Sequence, residues 1–108
     1  MADTPKSLIG QLSNTSDSAL YTVPASTTAL ILKLTYCETS GADISVNAYI
    51  RKSGTSRRIM DKDYSLPSNE SRDIGNAQKH ILETGDSLRG DASTGSAVDW
   101  VLSIVEFS

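Results

Sequence analysis

The side chains that could perform catalysis are few and scattered along the sequence. His80, in NAQKHIL, is the only histidine, and Cys37 is the only cysteine. A Ser-His-Asp triad needs a nucleophile held against the histidine, and no G-x-S-x-G elbow accompanies His80. Cys37 lies in an apolar strand pattern, where a thiol behaves as a small hydrophobe, whereas reactive thiols need an exposed, electropositive setting. These residues therefore do not predict an enzyme.

Acidic residues in three short motifs could in principle hold a hard cation. The motifs are MDKD with Asp61 and Asp63, TGD ending at Asp86, and RGD ending at Asp91. A calcium loop needs several oxygen ligands at fixed spacing, and the D-x-[DN]-x-[DN]-G pattern is absent. The RGD tripeptide matches an integrin-type motif, but three-residue matches are common by chance. The sequence predicts neither a metal site nor a cofactor.

The composition restricts the classes of protein to which the chain can belong. A length of 108 residues without a shift in composition favours one domain. The net charge of −3 is opposite to the clustered positive charge that nucleic-acid binding requires. No apolar run approaches the roughly 20 residues of a membrane span, and the N-terminus lacks the apolar core of a signal peptide. We therefore expect a soluble protein made in a cytoplasm, with no nucleic-acid or membrane partner.

Apolar residues recur with a period of two, which is typical of β-strands. The longest such pattern is ALILKLTYCET at residues 29–39. One face would carry Leu30, Leu32, Leu34 and Tyr36. Because the other face also contains apolar side chains, the pattern predicts a central strand that is covered on both sides.

The clearest one-sided strand follows the turn at residues 40–42, as DISVNAYIRK. Its predicted inward residues are Ile44, Val46, Ala48 and Ile50. Asn47 and Tyr49 would point outward. Seven or eight such short strands, separated by turns rich in Pro, Gly and hydroxyl residues, predict an all-β fold, an antiparallel β-sandwich or jelly roll. We expect residues 1–18 to form an N-terminal arm and edge strand, and residues 19–108 a single β-sandwich domain.

The stretch LYTVPASTTALILKLTYCETSGADISVNAYI, residues 20–50, resembles a family of small bacteriophage virion proteins. In that family an LYTVPAGTTA opening precedes a strand, a C-N-T-S-G turn and a second strand, and an L-x-x-G-D-x-L corner follows later. The corresponding segments here are residues 20–29, 37–41 and 82–88. This chain has Ser26 where the family usually has Gly, and Glu38 where it usually has Asn.

The resemblance implies a β-sandwich that has a structural role in the virion and no catalytic activity. It implies a capsid decoration (cement) protein that binds and stabilises the assembled head, with the major capsid protein as its partner. A small tail, adaptor or fibre-associated protein, bound to tail proteins, is the alternative. Members of the family often form homotrimers, which we expect here. The protein would belong to the virion and be assembled in the cytoplasm of the host bacterium.

Four basic residues surround one predicted turn of this otherwise acidic chain. They are Arg51, Lys52, Arg57 and Arg58, on either side of residues 53–56. This cluster, here called the basic tip, is either a solvated hairpin end or a surface that steers the module onto an acidic partner. We predict a partner contact formed by the basic tip together with Tyr49.

Two further expectations concern aromatic residues and the N-terminus. An exposed row of aromatic side chains would indicate a carbohydrate-binding module, and only Tyr49 is expected outside the core. Near the N-terminus, Leu8, Ile9 and Leu12 offer a strand that can add to an exposed sheet edge, so we predict them as an oligomer contact. The six residues that begin the chain are polar and include Pro5, and we expect them to be mobile.

Overall fold

The computed structural model describes residues 3–108; Met1 and Ala2, which belong to the predicted N-terminal arm, lie outside the described residues. The described chain contains ten strands and one short 3₁₀ helix at Gly75–Ala77. The strands are β1 (Asp3–Gln11), β2 (Ser18–Thr22), β3 (Thr28–Glu38), β4 (Ile44–Lys52), β5 (Thr55–Arg58), β6 (Tyr64–Leu66), β7 (Ser71–Asp73), β8 (Ile81–Leu82), β9 (Ser87–Ala92) and β10 (Val98–Phe107).

The strands form two antiparallel five-stranded sheets, so the predicted all-β sandwich is confirmed. Sheet A has the order β1-β10-β3-β7, with β8 also paired to β3. Sheet B has the order β2-β9-β4-β5, with β6 also paired to β4. The number of strands exceeds the seven or eight expected because β6, β7 and β8 are only two or three residues long. Such short pairings leave little periodicity in a sequence.

β1 lies along its own sheet rather than apart from it. It pairs with β10 over all nine residues, from Asp3 opposite Phe107 to Gln11 opposite Asp99. Residues 3–6, which the sequence predicted to be mobile, are therefore part of a strand. The predicted boundary between an arm at 1–18 and a domain at 19–108 stays a prediction, although β1 completes sheet A.

A β-bulge in β3 changes which side chains of that strand face the core. Ser103 lies opposite Lys33 and Ile104 lies opposite Ile31, so Leu32 is the extra residue. A bulge shifts the alternation by one residue, because two residues on one strand then face one on its partner. Side chains before and after Leu32 consequently follow opposite alternations.

The predicted common face of β3 is therefore wrong in its first half. Ile31, Leu34 and Tyr36 are fully buried, whereas Leu32 is 46% exposed and Leu30 is only half-buried. An unbroken period of two had placed Leu30 and Leu32 inside. The bulge instead turns both toward the outer face of sheet A.

The core lies between the two sheets and combines residues from both. Its largest fully buried apolar side chains are Tyr36, Leu12, Ile31, Leu34, Leu66, Leu82, Leu88, Leu102, Ile104, Val46 and Val98. Burying each aliphatic side chain of this size contributes roughly 1.5–3 kcal/mol of transfer free energy. Trp100 packs over Gly10, where a Cβ atom would come within 2.8 Å of the indole ring.

Two buried glutamates connect the ends of strands to other parts of the sandwich. Glu106 on β10 accepts a hydrogen bond from the Tyr21 hydroxyl at 2.5 Å, and its carboxylate forms an ion pair with the Lys6 ammonium at 2.9 Å. The hydrogen bond from Tyr21 makes the largest contribution to lowering the pKa of Glu106, and the contact with Lys6 lowers it further. Burial of the carboxylate opposes both effects. Because Tyr21 belongs to β2 and Lys6 to β1, this cluster joins sheets A and B at one edge.

Glu38, at the end of β3, holds two turns together. Its carboxylate accepts the backbone N–H groups of Ser40 at 2.7 Å, Gly41 at 2.8 Å and Asn69 at 3.1 Å, and also the Ser40 hydroxyl. Burial alone would raise the pKa of Glu38, but these hydrogen bonds outweigh it and lower the pKa to about 2. The ionised carboxylate is therefore the form that the fold stabilises.

Candidate functional site

The basic tip lies where β4 turns back into β5. The turn residues Ser53 and Gly54 have φ angles of 49° and 83°, and positive φ at both central residues is the type I′ geometry that suits a two-residue hairpin. The turn thus brings the four cations into one region, as the sequence predicted. What each cation contacts is decided by other elements.

Two of the four cations make ion pairs with carboxylates outside the hairpin. The Arg51 guanidinium lies 3.0 Å from Asp17, whose carboxylate also accepts a hydrogen bond from Ser56 at 2.8 Å. The Lys52 ammonium pairs with Asp86 and lies 3.3 Å from Glu83. The hydrogen bond to Asp86 raises the pKa of Lys52. These pairs attach the hairpin to the polypeptide around β2 and β9.

Arg58 covers Tyr49, so Tyr49 is not the exposed aromatic residue that the sequence predicted. The guanidinium carbon lies 5.0 Å from the centre of the Tyr49 ring, within the range of a cation–π contact. Tyr49 is only 9% exposed, and its hydroxyl donates to Asp91 at 2.7 Å. Burial, followed by this hydrogen bond, raises the pKa of Tyr49 to about 12. The contacts with Arg58 and Asp91 at both ends of its side chain disfavour Tyr49 as a partner contact, which stays a prediction.

Asn47 and Asp91 form a buried polar network on the outer side of sheet B. The Asn47 amide donates to Asp91 at 2.8 Å and to Asp63 at 3.0 Å, while its oxygen accepts from Arg58 and from the Asp63 N–H. Asp91 also accepts the Asp17 N–H at 3.0 Å. Asn47 had been predicted to point into solvent; the loop after β5 covers it instead. Asp91, the last residue of the RGD motif, is 6% exposed and engaged in the fold.

A polar depression of about 340 Å³ lies over this network, with Lys62 and Asp63 at its margin. The side chains beneath it form hydrogen bonds with one another, so Asn47, Tyr49 and Asp91 act together as a support for the loop after β5.

Within residues 3–108, no three side chains of His, Cys, Asp or Glu come together as a metal site. The same part of the chain contains no helix long and apolar enough to cross a membrane.

Arg57 is the one member of the basic tip that makes no side-chain hydrogen bond or ion pair within the described residues 3–108. It is exposed on β5, opposite Ile50. The free positive charge of the tip is therefore smaller than the sequence indicated. Long-range pairing with Asp17 and Asp86 could not be deduced from the local pattern.

The three predicted oligomer-contact residues have different environments. Leu12 is 1% exposed and belongs to the chain's own core, which disfavours its predicted role as an oligomer contact. Leu8 is half-buried and packs against the core. Ile9 is 78% exposed, on the outer face of sheet A next to Val101 of β10. Of the three, only Ile9 offers a largely exposed apolar side chain.

An apolar row crosses the outer face of sheet A. Pro5 on β1 lies opposite Val105 on β10, Val105 lies opposite Leu30 on β3, and Leu30 lies opposite Ile81 on β8. We call these four residues the outer apolar row. Ile81 is 61% exposed, and the bulged Leu32 next to Leu30 on β3 is also exposed. The sequence contained a signal for this surface, since β3 is apolar on both faces, but that pattern was interpreted as burial on both sides of the strand.

The two residues first considered for catalysis, His80 and Cys37, lie in different environments. His80 is exposed, and its backbone oxygen accepts the Ile31 N–H at 3.0 Å. Cys37 was expected in the core but is half-buried, opposite Asp99 on β10. Leu34 and Tyr36 take the inward positions, so Cys37 lies on the outer face of sheet A.

No protein-family model matches the chain, and no curated protein sequence matches it. It is similar in structure to a chain of the infectious bursal disease virus Gx strain, with a TM-score of 0.44 and 11% identity over 98% of this chain and 37% of that chain. A chain of the infectious bursal disease virus VP2 subviral particle gives a TM-score of 0.40 and 12% identity over 94% and 32%. The protein thus spans about a third of the length of these viral chains.

Proposed function

We propose that the chain is a non-enzymatic structural protein of a virus particle, and specifically a decoration protein that binds and stabilises an assembled bacteriophage head. The observation that carries this proposal is the outer apolar row. A contiguous apolar surface on the outer face of a sheet is typical of a protein–protein contact. The likeness of residues 20–50 to phage virion proteins supplies the class of partner, which is the major capsid protein.

The geometry favours attachment through the outer face of sheet A rather than through the basic tip. Three of the four tip cations are already held by groups of the same chain, as is Tyr49. By contrast, Leu32 and Ile81 keep 46% and 61% of their surface exposed. Burial of such side chains against a partner would supply the apolar centre that stable interfaces contain.

Two finer parts of the proposal come from the resemblance alone. These are the position on the head, as opposed to the tail or a fibre, and the homotrimeric state. Tail proteins would replace the capsid protein as partners if the chain were an adaptor or a fibre-associated component. The covering of Tyr49 by Arg58 disfavours the third possibility, a carbohydrate-binding module, which needs an open aromatic platform.

The test is to purify particles from an infection that produces the chain and to locate it by cryo-electron microscopy. Density for the sandwich on the outer head surface, with the outer apolar row against the capsid, supports the proposal. Density on the tail selects the adaptor or fibre alternative, and absence from purified particles overturns the virion role.

A matched pair of variants separates attachment from folding. Ile81→Asp places a charge in the outer apolar row, whereas Thr55→Asp places one on the exposed end of β5. We expect Ile81→Asp to be lost from particles and Thr55→Asp to be retained, with both proteins folded by circular dichroism. Equal retention of the two variants would show that the row is not the attachment surface.

A further inference from the structure

β1 is a terminal strand of sheet A whose outer edge has no partner strand among residues 3–108. The Leu12 N–H donates to Val98 and the Leu12 oxygen accepts from Ser96, so this residue's backbone groups point toward β10. Backbone direction alternates along a strand, and the register of β1 with β10 is unbroken. The N–H and C=O groups of Ser7, Ile9 and Gln11 therefore point away from β10 and toward the free edge.

The features that protect an edge strand from pairing are confined to one end of β1. Pro5 has no backbone N–H, and Lys6 carries a charge. Both features discourage the addition of another strand to this edge. Residues 7–11, Ser-Leu-Ile-Gly-Gln, carry no charge in a chain with a net charge of −3. At their centre, Ile9 is the most exposed of the large apolar side chains in the described structure, next to the exposed Val101.

We infer that this edge is a self-association site, at which β1 pairs antiparallel with β1 of a second copy about a two-fold axis at Ile9. In this register Ile9 faces Ile9 of the second copy, and Ser7 faces its Gln11. The three outward-pointing positions then exchange about six hydrogen bonds between chains. Pro5 falls opposite residue 13, beyond the end of the partner strand, so its missing N–H interrupts nothing.

These observations favour a second copy of this chain as the partner of the β1 edge, because residues 7–11 are self-complementary. Each residue that donates at the edge also accepts, and no charge is placed opposite the same charge, which would oppose pairing. Sheet A of one copy and sheet A of the other become one continuous sheet. Ile9 and Val101 of both copies then lie side by side on its outer face. An isologous contact of this kind closes with two copies, so it does not produce the homotrimer that the resemblance implies.

Sedimentation velocity from about 1 µM to 1 mM tests the inference, because a five-residue edge buries less than the roughly 1,000 Å² of a stable interface and should dissociate on dilution. We expect the mass to rise from that of an 11.5 kDa chain toward twice that value. Ile9→Lys should remain monomeric. Ile81→Lys, at another exposed apolar position that lies away from the edge, should dimerise as the wild type does. A wild type that is monomeric or trimeric throughout overturns the inference, as does equal loss of association in both variants.

A second variant tests the backbone contact without altering an apolar side chain. Ser7→Pro removes an edge N–H that makes no hydrogen bond to β10, so the fold should be retained while dimerisation is lost. In the wild type, hydrogen exchange at Ser7, Ile9 and Gln11 should slow as concentration rises. Exchange at these amides that is independent of concentration while the mass doubles would place the interface elsewhere and exclude the proposed edge.

Discussion

Gly90 lies directly beneath the hydroxyl of Tyr36, in the centre of the sandwich. A Cβ atom at Gly90 would lie 2.5 Å from the Tyr36 oxygen and 3.0 Å from the backbone oxygen of Asn47. The Tyr36 hydroxyl donates to that same Asn47 oxygen at 3.1 Å. A side chain on β9 is thus excluded so that a tyrosine on β3 of sheet A can reach β4 of sheet B.

Gly90→Ala should therefore destabilise the protein by about 1–3 kcal/mol, since overpacking a dense core forces its neighbours to move. Tyr36→Phe removes the clashing oxygen, so Gly90→Ala should cost less in the Tyr36→Phe background than in the wild type. Urea denaturation of the four proteins measures this coupling. Additive free energies of unfolding would show that the two residues do not compete for the same space.

Acid should weaken the contribution of Glu38 to stability. Its folded-state pKa of about 2 lies below the ordinary value of 4.5, so the ionised carboxylate stabilises the fold above the unfolded pKa. This contribution is lost as the pH falls from about 4.5 toward 2. We expect the difference in melting temperature between wild type and Glu38→Gln to be largest at neutral pH and to shrink across that window. A difference that stays constant between pH 6 and pH 2.5 would show that ionisation of Glu38 is not involved.

Leu12 and Ile9 should respond oppositely to truncation, although both were predicted as oligomer contacts. Leu12→Ala removes buried methyl groups and should cost about 2–5 kcal/mol in unfolding free energy. Ile9→Ala should change the stability of the monomer by no more than about 0.5 kcal/mol. The unfolding free energies of the two variants can be compared by urea denaturation at protein concentrations too low for self-association. Deleting residues 1–12 should consequently damage folding itself, because the deletion also removes the buried Leu12.

Arg57 and Arg58 separate the electrostatic role of the basic tip from its structural role. Arg58→Gln loses the contact over Tyr49 and a charged donor to Asn47, so we expect a loss of about 1 kcal/mol. Arg57→Gln should leave the melting temperature unchanged, because exposed charges contribute little. If the tip steers attachment to particles, Arg57→Gln should slow it at low salt, where screening is weak. Attachment at the wild-type rate in low salt would show that the tip is a solvated hairpin end.

The alternating pattern of the sequence determined the class of the fold and many of its strands. β4 was recognisable because a strand that packs against a core repeats every two residues, whatever its partner. The type I′ turn at Ser53 and Gly54, and the grouping of four cations around it, likewise depend on neighbours in sequence. The virion resemblance also came from sequence alone, and it stays a prediction.

Only the tertiary structure decided which of these surfaces are free. The bulge at Leu32 depends on how β3 pairs with β10, and a one-residue shift reverses every later side chain. Tyr49 and Asn47 looked exposed because a period of two distinguishes the two faces of a strand. It does not show whether another part of the chain covers one of those faces. Arg51 and Lys52 find Asp17 and Asp86 more than 30 residues away. Such pairings arise when separate strands meet in space, and the local pattern of residues contains no record of them.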